Sequence, residues 1–404
     1  MSHIPEEVRD IFDAGGRGLQ HNGLRKANER AVLTLIAFNP GVSNAEISRL
    51  SGLAPQTVSA ILVDVERAGL ITRGQVLRGR RGQPATPIFL KADGRFAIGC
   101  EIGWRQMEAV LVNMQGQVLA HRHVDYAWPD ARAIVGQIGA AVRALRETLS
   151  PEESKRLAGL GVAMPTHIWR YVHQVGAAPE QTELWRELEL SPALSAETGL
   201  EVSIYNDGNA ACWAELVAIP RPRPADVIYF LVTHYIAAGV IGQGTLWEGP
   251  SGNSANLGFM LVDGPEDGPL PAHRVASISA LLERLEAAGR SLPQGPYEQW
   301  DWAEFEPVLS EWIEAGAAAL AHVIFNTAVV IETQVAIIDG VMPPPIVERL
   351  SERIVHHLAA LPAASGGPPD VVNGRLGALA PAIGAAELPL YRRYLSRTLA
   401  GLAG

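Results

Sequence analysis

This sequence is poor in cysteine, and we find in it neither the core of a signal peptide nor a long apolar run. Of its 404 residues only Cys100 and Cys212 are cysteines, which excludes a disulfide framework and a cysteine-rich zinc site and predicts two buried, reduced thiols. The N-terminus is polar, and we find no apolar run that approaches the length of a membrane span. These absences predict a cytoplasmic protein with no membrane partner.

The first part of the chain has little net charge, whereas the rest is clearly acidic. The net charge of −10 excludes a protein that is basic throughout. Residues 1–90 carry 11 Lys and Arg against 8 Asp and Glu, whereas the remainder carries 22 against 35. A mildly basic head on an acidic body is typical of a protein that contacts phosphate at one end only. The length allows two or three domains.

The stretch 43–70 has the pattern of two short helices joined by a tight turn. Ser43 and Glu46 predict a capping box at the start of the first helix, and Gly52 is expected to end it. Pro55 suits the first turn of the second helix, where its missing N–H has no helical partner. A helix-turn-helix motif and an ordinary helical hairpin both fit this segment when it is taken alone.

The second helix is predicted to present short, uncharged side chains to the outside. Its apolar residues recur at three- and four-residue spacing and are expected to face inward: Val58, Ile61, Leu62 and Val65. The outward residues near its start are Gln56, Thr57 and Ser59, which are of the kind that contact base edges in the DNA major groove. We therefore predict that these three side chains bind DNA.

A basic, glycine-rich loop follows these helices and favours the DNA-binding interpretation. Strands are predicted at 71–77 and 87–90, with Arg78-Gly-Arg-Arg-Gly-Gln-Pro84 between them, like the wing of a winged helix. Guanidinium groups on such a loop can grip phosphates or enter a minor groove. The predicted DNA contacts are Arg78, Arg80, Arg81 and Gln83 on the loop, with Arg25 and Lys26 near the start of an earlier helix at 28–38. Taken alone, such a basic cluster is usually a solvated turn.

After residue 95 strands and helices alternate, which predicts an α/β body with a mixed sheet. Predicted strands lie at 97–102, 107–113, 118–124, 160–164, 202–205, 227–232, 238–241 and 335–338. Predicted helices lie at 131–149, 208–217, 277–285, 312–331, 346–358 and 388–402. We expect an N-terminal arm and winged helix-turn-helix at 1–90 and a body at 91–404. Lobe one of the body would comprise about 95–205 with the helix at 388–402, and lobe two about 206–387.

Two long motifs in the body carry a family resemblance. One is Tyr205-Asn-Asp-Gly-Asn-Ala-Ala-Cys-Trp-Ala-Glu215, and the other is Gly249-Pro-Ser-Gly-Asn-Ser-Ala-Asn-Leu-Gly-Phe-Met260. They resemble E-N-D-A-N-A-A-A-x-A-E and G-A-S-G-N-A-G-E-I-G-H-M of the ROK family of sugar-responsive repressors and sugar kinases. The resemblance extends over nearly the whole chain. It implies a two-lobed, actin-like and sugar-kinase-like α/β body behind a winged helix-turn-helix.

Departures from the family pattern fall at both phosphate loops of its kinases. The kinases begin with D-x-G-G-T, where this chain has Glu101-Ile-Gly-Trp-Arg105, and their second loop G-T-G-x-G reads Thr233-His-Tyr-Ile-Ala-Ala-Gly239 here. Trp, Arg, His and Tyr are bulky where backbone N–H groups must approach ATP phosphates. We therefore expect a degraded ATP site, no nucleotide cofactor and no kinase activity.

The resemblance also implies a sugar site around Asn206 and Asp207. Asp207 matches the catalytic base of the family, and without a phosphoryl donor such a carboxylate can still accept hydrogen bonds from a sugar hydroxyl. Asn206 would act beside it as donor and acceptor. The alternative is that both residues only cap the helix that begins near Gly208.

Three further positions match the family's sugar-binding motifs with changed residues. Asn256 and Phe259 stand at the Glu and His of E-x-G-H, and Glu180 stands at the Asn of A-P-N-L. Asn256, Glu180 and Asn253 are the candidate sugar contacts, although Glu180 also fits an exposed surface position and Asn253 a turn. The zinc cysteines of C-x-C-G-x-x-G-C are absent from 262–274, and His273 alone does not make a zinc site. We predict no metal and a subgroup that lacks the zinc motif.

Together these patterns predict a sugar-responsive transcriptional repressor of a carbohydrate-use operon, and not an enzyme. It would bind double-stranded operator DNA as a homodimer or homotetramer, because paired half-sites need paired recognition helices. Lobe closure on a sugar effector would alter the spacing of the DNA-binding heads. Two alternatives remain, namely an ATP-dependent sugar kinase with a DNA-binding appendage and a DNA-binding or architectural protein that responds to no ligand.

Overall fold

The structure is a computed structural model that describes residues 21–75, 86–253, 255–264, 268–293, 295–362 and 367–395. By its internal contacts the chain divides into two compact units, Met1–Phe89 and Leu90–Gly404. We call the first unit the head and the second the body, and each is described separately. Residues 76–85, which include the predicted wing loop at 78–84, lie outside the described residues.

The head consists of three helices and two short paired strands. These are α1 (His21–Phe38), α2 (Asn44–Ser51), α3 (Pro55–Arg67), β1 (Ile71–Arg73) and β2 (Ile88–Leu90). β1 pairs with β2, and Val42 forms an isolated bridge to Ile88 in β2. The four inward residues predicted for α3 are buried, together with Ile36 of α1 and Ile47 of α2. The helix predicted at 28–38 begins earlier, at His21.

Local sequence signals determine where the head helices begin and end. The backbone N–H of Glu46 donates to Oγ of Ser43, and the N–H of Ser43 donates to the Glu46 carboxylate at 2.9 Å, so the predicted capping box is confirmed. Gly52 ends α2 with a φ of 69°, a left-handed conformation that favours glycine. Pro55 is the first residue of α3, as predicted.

The body contains two five-stranded sheets that share one topology. The first sheet has the order β5-β4-β3-β6-β7 and the second the order β10-β9-β8-β13-β14. In the first, β3 pairs antiparallel with β4 and parallel with β6, and in the second β8 pairs likewise with β9 and β13. The strands are β3 (Phe96–Ile102), β4 (Gln106–Asn113), β5 (Val118–Asp125), β6 (Leu157–Met164), β7 (Val202–Asn206), β8 (Val227–Val232), β9 (Ile236–Gly242), β10 (Thr245–Leu246), β13 (Val335–Gly340) and β14 (Asp370–Asn373). A small separate ribbon pairs β11 (Leu261–Val262) with β12 (Leu270–Pro271).

Helices cover the sheets and connect their strands. They are α4 (Ile134–Arg146), α5 (Pro151–Ser154), α6 (Gln181–Glu187), α7 (Leu190–Thr198), α8 (Asp207–Ala218), α9 (His273–Ala276), α10 (Ile278–Ala287), α11 (Val308–Ile331), α12 (Pro344–Ala360) and α13 (Ala380–Tyr394). α4 and α7 lie against each other beside the first sheet, and α11 and α12 lie together beside the second. Each sheet thus has its own hydrophobic core.

Helix α11 corrects the expectation that no apolar run approaches the length of a membrane span. By length and composition it is apolar enough to cross a membrane. Half of its most apolar window is buried within the body, and Trp312, Leu320 and Ile324 belong to the core beside the second sheet. A core helix meets the same criteria of length and composition, and the packing of α11 accounts for its apolar sequence.

Helix α13 packs at backbone distance against both the first sheet and α8. A Cβ atom at Gly99 of β3 would overlap the carbonyl oxygen of Ala382, and one at Gly161 of β6 would overlap that of Ala385. On the other side, a Cβ at Gly384 of α13 would overlap the carbonyl oxygen of Ala210 in α8. Only glycine permits these approaches. α13 therefore joins the first sheet to the helix that carries Asp207.

Several elements differ from the predicted ones. The final helix was predicted at 388–402, whereas α13 spans Ala380–Tyr394, because alanines and Gly384 give close backbone packing instead of an amphipathic pattern. β7, predicted as a strand at 202–205 at the end of lobe one, pairs parallel with β6 and is the edge strand of the first sheet. β14 was not predicted, because its four residues, Asp370–Asn373, have too short a pattern to read.

Candidate ligand cavity and nucleic-acid interface

The start of α3 is the candidate base-reading surface of the head. Gln56 and Thr57 are exposed there, on the side of α3 opposite its buried residues. Ser59 is also exposed, but its hydroxyl donates to the carbonyl of Pro55 and accepts from the amide of Asn44, both at 2.9 Å. Gln56 and Thr57 are therefore better placed to bind an external partner than Ser59.

The predicted phosphate contacts of the head have three different outcomes. The Arg25 guanidinium pairs with Glu29 at 3.2 Å and also with Asp64 of α3, and its side chain is 59% exposed. Lys26 is exposed. Arg78, Arg80, Arg81 and Gln83 lie outside the described residues.

The body contains a cavity of about 180 Å³. Pockets that bind drug-sized ligands measure roughly 300–1,000 Å³, so this cavity is small by comparison. Its wall comes from the turn after β3, the segment 165–174, the start of α8, the turn between β8 and β9, the segment 253–259 and His273 of α9. Residues of both sheets, or of the turns that follow their strands, thus meet at one place.

Asn206 and Asp207 lie in the cavity wall where β7 ends and α8 begins. Asn206 caps α8 by accepting from the backbone N–H of Asn209 at 3.0 Å, and its amide donates to Asp207 and Thr166. Asp207 Oδ1 accepts from Gly208 N–H at 2.9 Å. Burial raises the pKa of Asp207 to about 6, against these hydrogen bonds, which lower it. Capping and cavity lining are therefore combined in one pair of residues.

The other predicted sugar contacts are divided by the structure. Asn253 and Asn256 line the cavity. Glu180 is not among the described residues that line it. Its side chain is 54% exposed and lies 3.9 Å from the guanidinium of Arg132, just ahead of α6. The structure therefore favours the exposed surface position for Glu180, and Glu180 does not belong to the candidate site.

His273 is a cavity residue that the sequence argument considered only as a zinc ligand and set aside. Its Nδ1 lies 3.1 Å from the carbonyl oxygen of Gly258, which assigns the proton to Nδ1 and leaves Nε2 as an acceptor. Burial lowers the pKa of His273, so the ring is neutral at neutral pH. The ring contacts Phe259 in a tilted arrangement, with centroids 4.6 Å apart and planes inclined by 58°. The sequence did contain a signal for this role, because the family's histidine is replaced by Phe259 while a histidine is present nearby at position 273.

Five rings form a continuous series along the cavity wall, which we call the aromatic ladder. Successive centroid distances are 5.1 Å from Trp104 to Tyr235, 5.7 Å from Tyr235 to His273, 4.6 Å from His273 to Phe259 and 5.7 Å from Phe259 to Tyr171. Trp104 and Tyr171 belong to the half with the first sheet, and the other three rings to the half with the second. The ladder therefore crosses between the halves twice.

The turns that match the two phosphate loops are closed by their own hydrogen bonds. Gly103 N–H donates to the carbonyl of Gln106 at 3.0 Å, and Thr233 N–H donates to the carbonyl of Tyr235 at 2.9 Å. The Tyr126 hydroxyl lies 2.8 Å from the carbonyl oxygen of Gly103 and 2.7 Å from that of Gln106, so its single hydrogen is shared between them. Trp104 and Tyr235, one from each turn, are in edge contact. The ring pair therefore occupies the space between the two turns.

Backbone strain is concentrated at the cavity. Among the described residues, four other than glycine have a positive φ, and two of them, His167 at 57° and Ala255 at 62°, line the cavity. Such conformations persist where surrounding structure enforces them, and they cluster at ligand sites.

No cluster of three or more His, Cys, Asp or Glu that could hold a metal ion is found among the described residues. Cys100 and Cys212 are buried and unpaired, as expected.

Comparison with known families identifies both units. A model of the ROK family matches residues 97–391, and a model of winged helix-turn-helix DNA-binding domains matches residues 25–72. The uncharacterized protein y4fQ of Sinorhizobium fredii is 27% identical over 376 residues, which are 92% of this chain and 93% of that protein. The xylose repressor of Bacillus subtilis is 26% identical over 283 residues, 67% of this chain and 70% of that protein. The DNA-binding transcriptional repressor Mlc of Escherichia coli is 24% identical over 243 residues, 59% of each chain.

Solved structures give the same fold. A crystal structure of a ROK family transcriptional regulator, a homologue of the E. coli Mlc protein, has a TM-score of 0.67 at 18% identity and covers 94% of this chain and 100% of its own. A ROK family glucokinase from Streptomyces griseus, in complex with glucose and AMPPNP, has a TM-score of 0.57 at 23% identity and covers 72% and 98%. Since the family model matches well over half of its residues, this chain belongs to the ROK family, with a winged helix-turn-helix ahead of a sugar-kinase-like α/β body.

Proposed function

We propose that this protein is a sugar-responsive, DNA-binding transcriptional repressor of a carbohydrate-use operon and has no kinase activity. The relatives named as xylose repressor and Mlc support a repressor, as does the winged helix-turn-helix at residues 25–72. The head would bind double-stranded operator DNA through Gln56 and Thr57, within a homodimer or homotetramer that presents paired heads. The domain limits at 1–90 and 91–404 remain part of this proposal.

One observation carries the absence of kinase activity, namely the contact between Trp104 and Tyr235. Phosphoryl transfer depends on backbone N–H groups and cations that hold the phosphates in line with the acceptor. Here the Gly103 and Thr233 amides are hydrogen-bonded within their own turns, and two large rings stand between those turns. Triphosphate binding would require both turns to open and the ring pair to separate.

The cavity would bind one sugar as an effector. Asp207, Asn253 and Asn256 supply hydrogen-bonding groups, and the aromatic ladder offers a wall for the C–H faces of a sugar ring. Binding can change operator affinity only by the difference in sugar affinity between the DNA-binding and DNA-free states. A repressor requires the sugar to favour the DNA-free state.

A sugar kinase with a DNA-binding appendage is the second candidate, and the retention of Asp207 favours it. A carboxylate with a pKa of about 6 at a cavity wall is suited to accept a proton from a sugar hydroxyl. The same carboxylate serves a repressor equally well as a hydrogen-bond acceptor. The two candidates therefore differ in ATP turnover and not in sugar binding.

The test combines ATP turnover with effector-dependent DNA binding on the full-length protein. With a panel of pentoses, hexoses and amino sugars, we expect no sugar-dependent ADP release, a raised melting temperature with one sugar class, and release of neighbouring promoter DNA by that class in gel shifts. Sugar-dependent ADP release would overturn the repressor-only proposal. Absence of stabilisation by every sugar would favour a DNA-binding protein that responds to no ligand.

A further inference from the structure

The charge of the cavity wall indicates which class of sugar it binds. Among the described residues that line the cavity, Asp207 is the one carboxylate, while Arg170 brings a guanidinium. The predicted acidic contact, Glu180, faces away and lies beside Arg132. The wall is therefore less acidic than the sequence motifs alone led us to expect.

Arg170 is held in place without being neutralised. Its guanidinium lies over the ring of Trp169, 4.9 Å from the centroid, and Arg186 lies over the same ring at 4.6 Å. Arg186 also forms an ion pair with Glu183. Arg170 forms no ion pair with any carboxylate of the residues that the structure describes. Stacking on an aromatic face orients a guanidinium while leaving its N–H groups available to an anion.

A second guanidinium adds positive potential near the same wall. Arg105 follows Trp104 and donates to the carbonyl oxygen of Ala127, a neutral partner. Burial raises the pKa of Tyr235 to about 12, while the charge of Arg274 and, less strongly, that of Arg105 lower it and Glu283 raises it. Tyr235 belongs to the aromatic ladder, so the field of Arg105 reaches the cavity. Arg105 is not itself among the residues that line the cavity, so Arg170 supplies the lining guanidinium and Asp207 the lining carboxylate.

We propose that the effector is an anionic sugar whose carboxylate or phosphate group pairs with Arg170. Its ring would lie on the aromatic ladder, with hydroxyls toward Asp207 and the Nε2 atom of His273. Guanidinium groups bind carboxylates and phosphates through paired N–H donors, and such charge-assisted bonds are about twice as strong as neutral ones. This inference rests on the proposed function and specifies its effector.

The test measures dissociation constants of the full-length protein for matched sets of sugars. Each set contains a neutral sugar, its uronate and its phosphate ester, for example glucose, glucuronate and glucose 6-phosphate, or galactose, galacturonate and galactose 6-phosphate. We expect one charged member to bind about ten- to a hundredfold more tightly than its neutral counterpart. Uronate against phosphate ester decides which acid group the site accepts. The preference should weaken as salt is raised.

Variants separate the role of Arg170 from general packing. R170Q should reduce the preference for the charged sugar to about threefold or less, whereas R170K should retain part of it. R186Q is the matched control, because Arg186 stacks on the same tryptophan but is not among the cavity-lining residues. If the neutral member of the binding set binds as tightly as the charged members, or R170Q leaves the preference intact, this inference alone is wrong. If no sugar of any set binds, the proposed sugar response fails and this inference with it.

Discussion

At the scale of single residues, the cavity shows which roles a motif can predict. Asn206 and Asp207 were predicted from a long motif, and the structure places both in the cavity wall. Glu180 was predicted from a shorter one and lies outside, because a single aligned position does not determine the direction of a side chain. Arg170 and His273 were not predicted as ligand contacts, since the chain brings them to the wall from segments with no sugar motif.

His273 gives a prediction at this scale. His273→Phe keeps a ring against Phe259 and Tyr235 but removes the Nε2 acceptor, so we expect effector affinity to fall about five- to tenfold, the equivalent of one neutral hydrogen bond. Isothermal titration with the effector found in the sugar panel measures this. His273→Gln, which keeps an acceptor, should bind more tightly than His273→Phe.

The control for this comparison is His356→Gln, because His356 is exposed on α12 and is not among the cavity-lining residues. Equal effector affinity of His273→Phe and the original protein would show that Nε2 makes no contact. Melting temperatures without effector are needed as well, since His273→Phe also leaves the Gly258 carbonyl oxygen without its donor.

At the scale of elements, periodicity and capping signals predicted most helices and strands of the head and the body. α2 and α3 begin at the residues that Ser43 and Pro55 indicated, because cap and proline preferences act locally. Elements that depend on distant partners were harder to predict. β7 looks the same from sequence whether it opens a new sheet or closes the previous one, and only its pairing with β6 decides.

Helix α3 carries the prediction at this scale. Gln56→Ala and Thr57→Ala should each weaken binding to the operator by roughly 1–3 kcal/mol and relax specificity at one base pair, if each side chain contacts one base. Gel shifts against the operator and its single-base variants measure both effects. Ser59→Ala should have a smaller effect, because the Ser59 hydroxyl is already bonded to Pro55 and Asn44.

Two controls belong with the α3 variants. Lys26→Gln should weaken all sequences alike and lower the salt slope by about one unit if Lys26 contacts phosphate. Glu152→Gln, on an exposed part of the body, should change nothing. Operator affinity that is indifferent to both Gln56→Ala and Thr57→Ala would place the base-reading surface elsewhere.

At the scale of the whole molecule, several buried carboxyl groups make stability depend on pH. Burial raises the pKa of Glu387 to about 8, against the charge of Arg223, and it raises the pKa of Asp207 to about 6. The folded state therefore holds protons that the unfolded chain has already released near pH 4.5. This stabilisation is complete below that pH and is lost as the pH rises toward the raised values.

Glu387→Gln isolates one of these groups. The variant keeps a neutral, polar side chain, so relative to the original protein it should become more stable between pH 5.5 and 8, by at most about 1.4 kcal/mol per pH unit. Urea unfolding at a series of pH values gives the difference. Above pH 8 the difference should level off, and a flat difference across the whole range would show that Glu387 titrates near its ordinary pKa.

The repeated topology of the two sheets also belongs to this scale, and the sequence did not reveal it. Each sheet has two antiparallel and two parallel strand pairings in the same order, although the strands differ in length and the loops in composition. The two sheets share the order and direction of their strand pairings, which depend on backbone hydrogen bonds. These bonds form with almost any side chain that fits a strand. Sequence similarity between the halves is therefore not required for the halves to match.

The seam formed by α13, Gly99, Gly161 and Gly384 has a consequence for how the body can flex. Where main chains touch directly, no side chains lie between them that could change rotamer and let the elements slide. We therefore expect this contact to be rigid. Any swing of one half against the other must then bend elsewhere, and the rings that cross the cavity are the contacts it would have to break. A ligand bound in the cavity would therefore act on the ring contacts between the halves, while the contacts of α13 stay fixed.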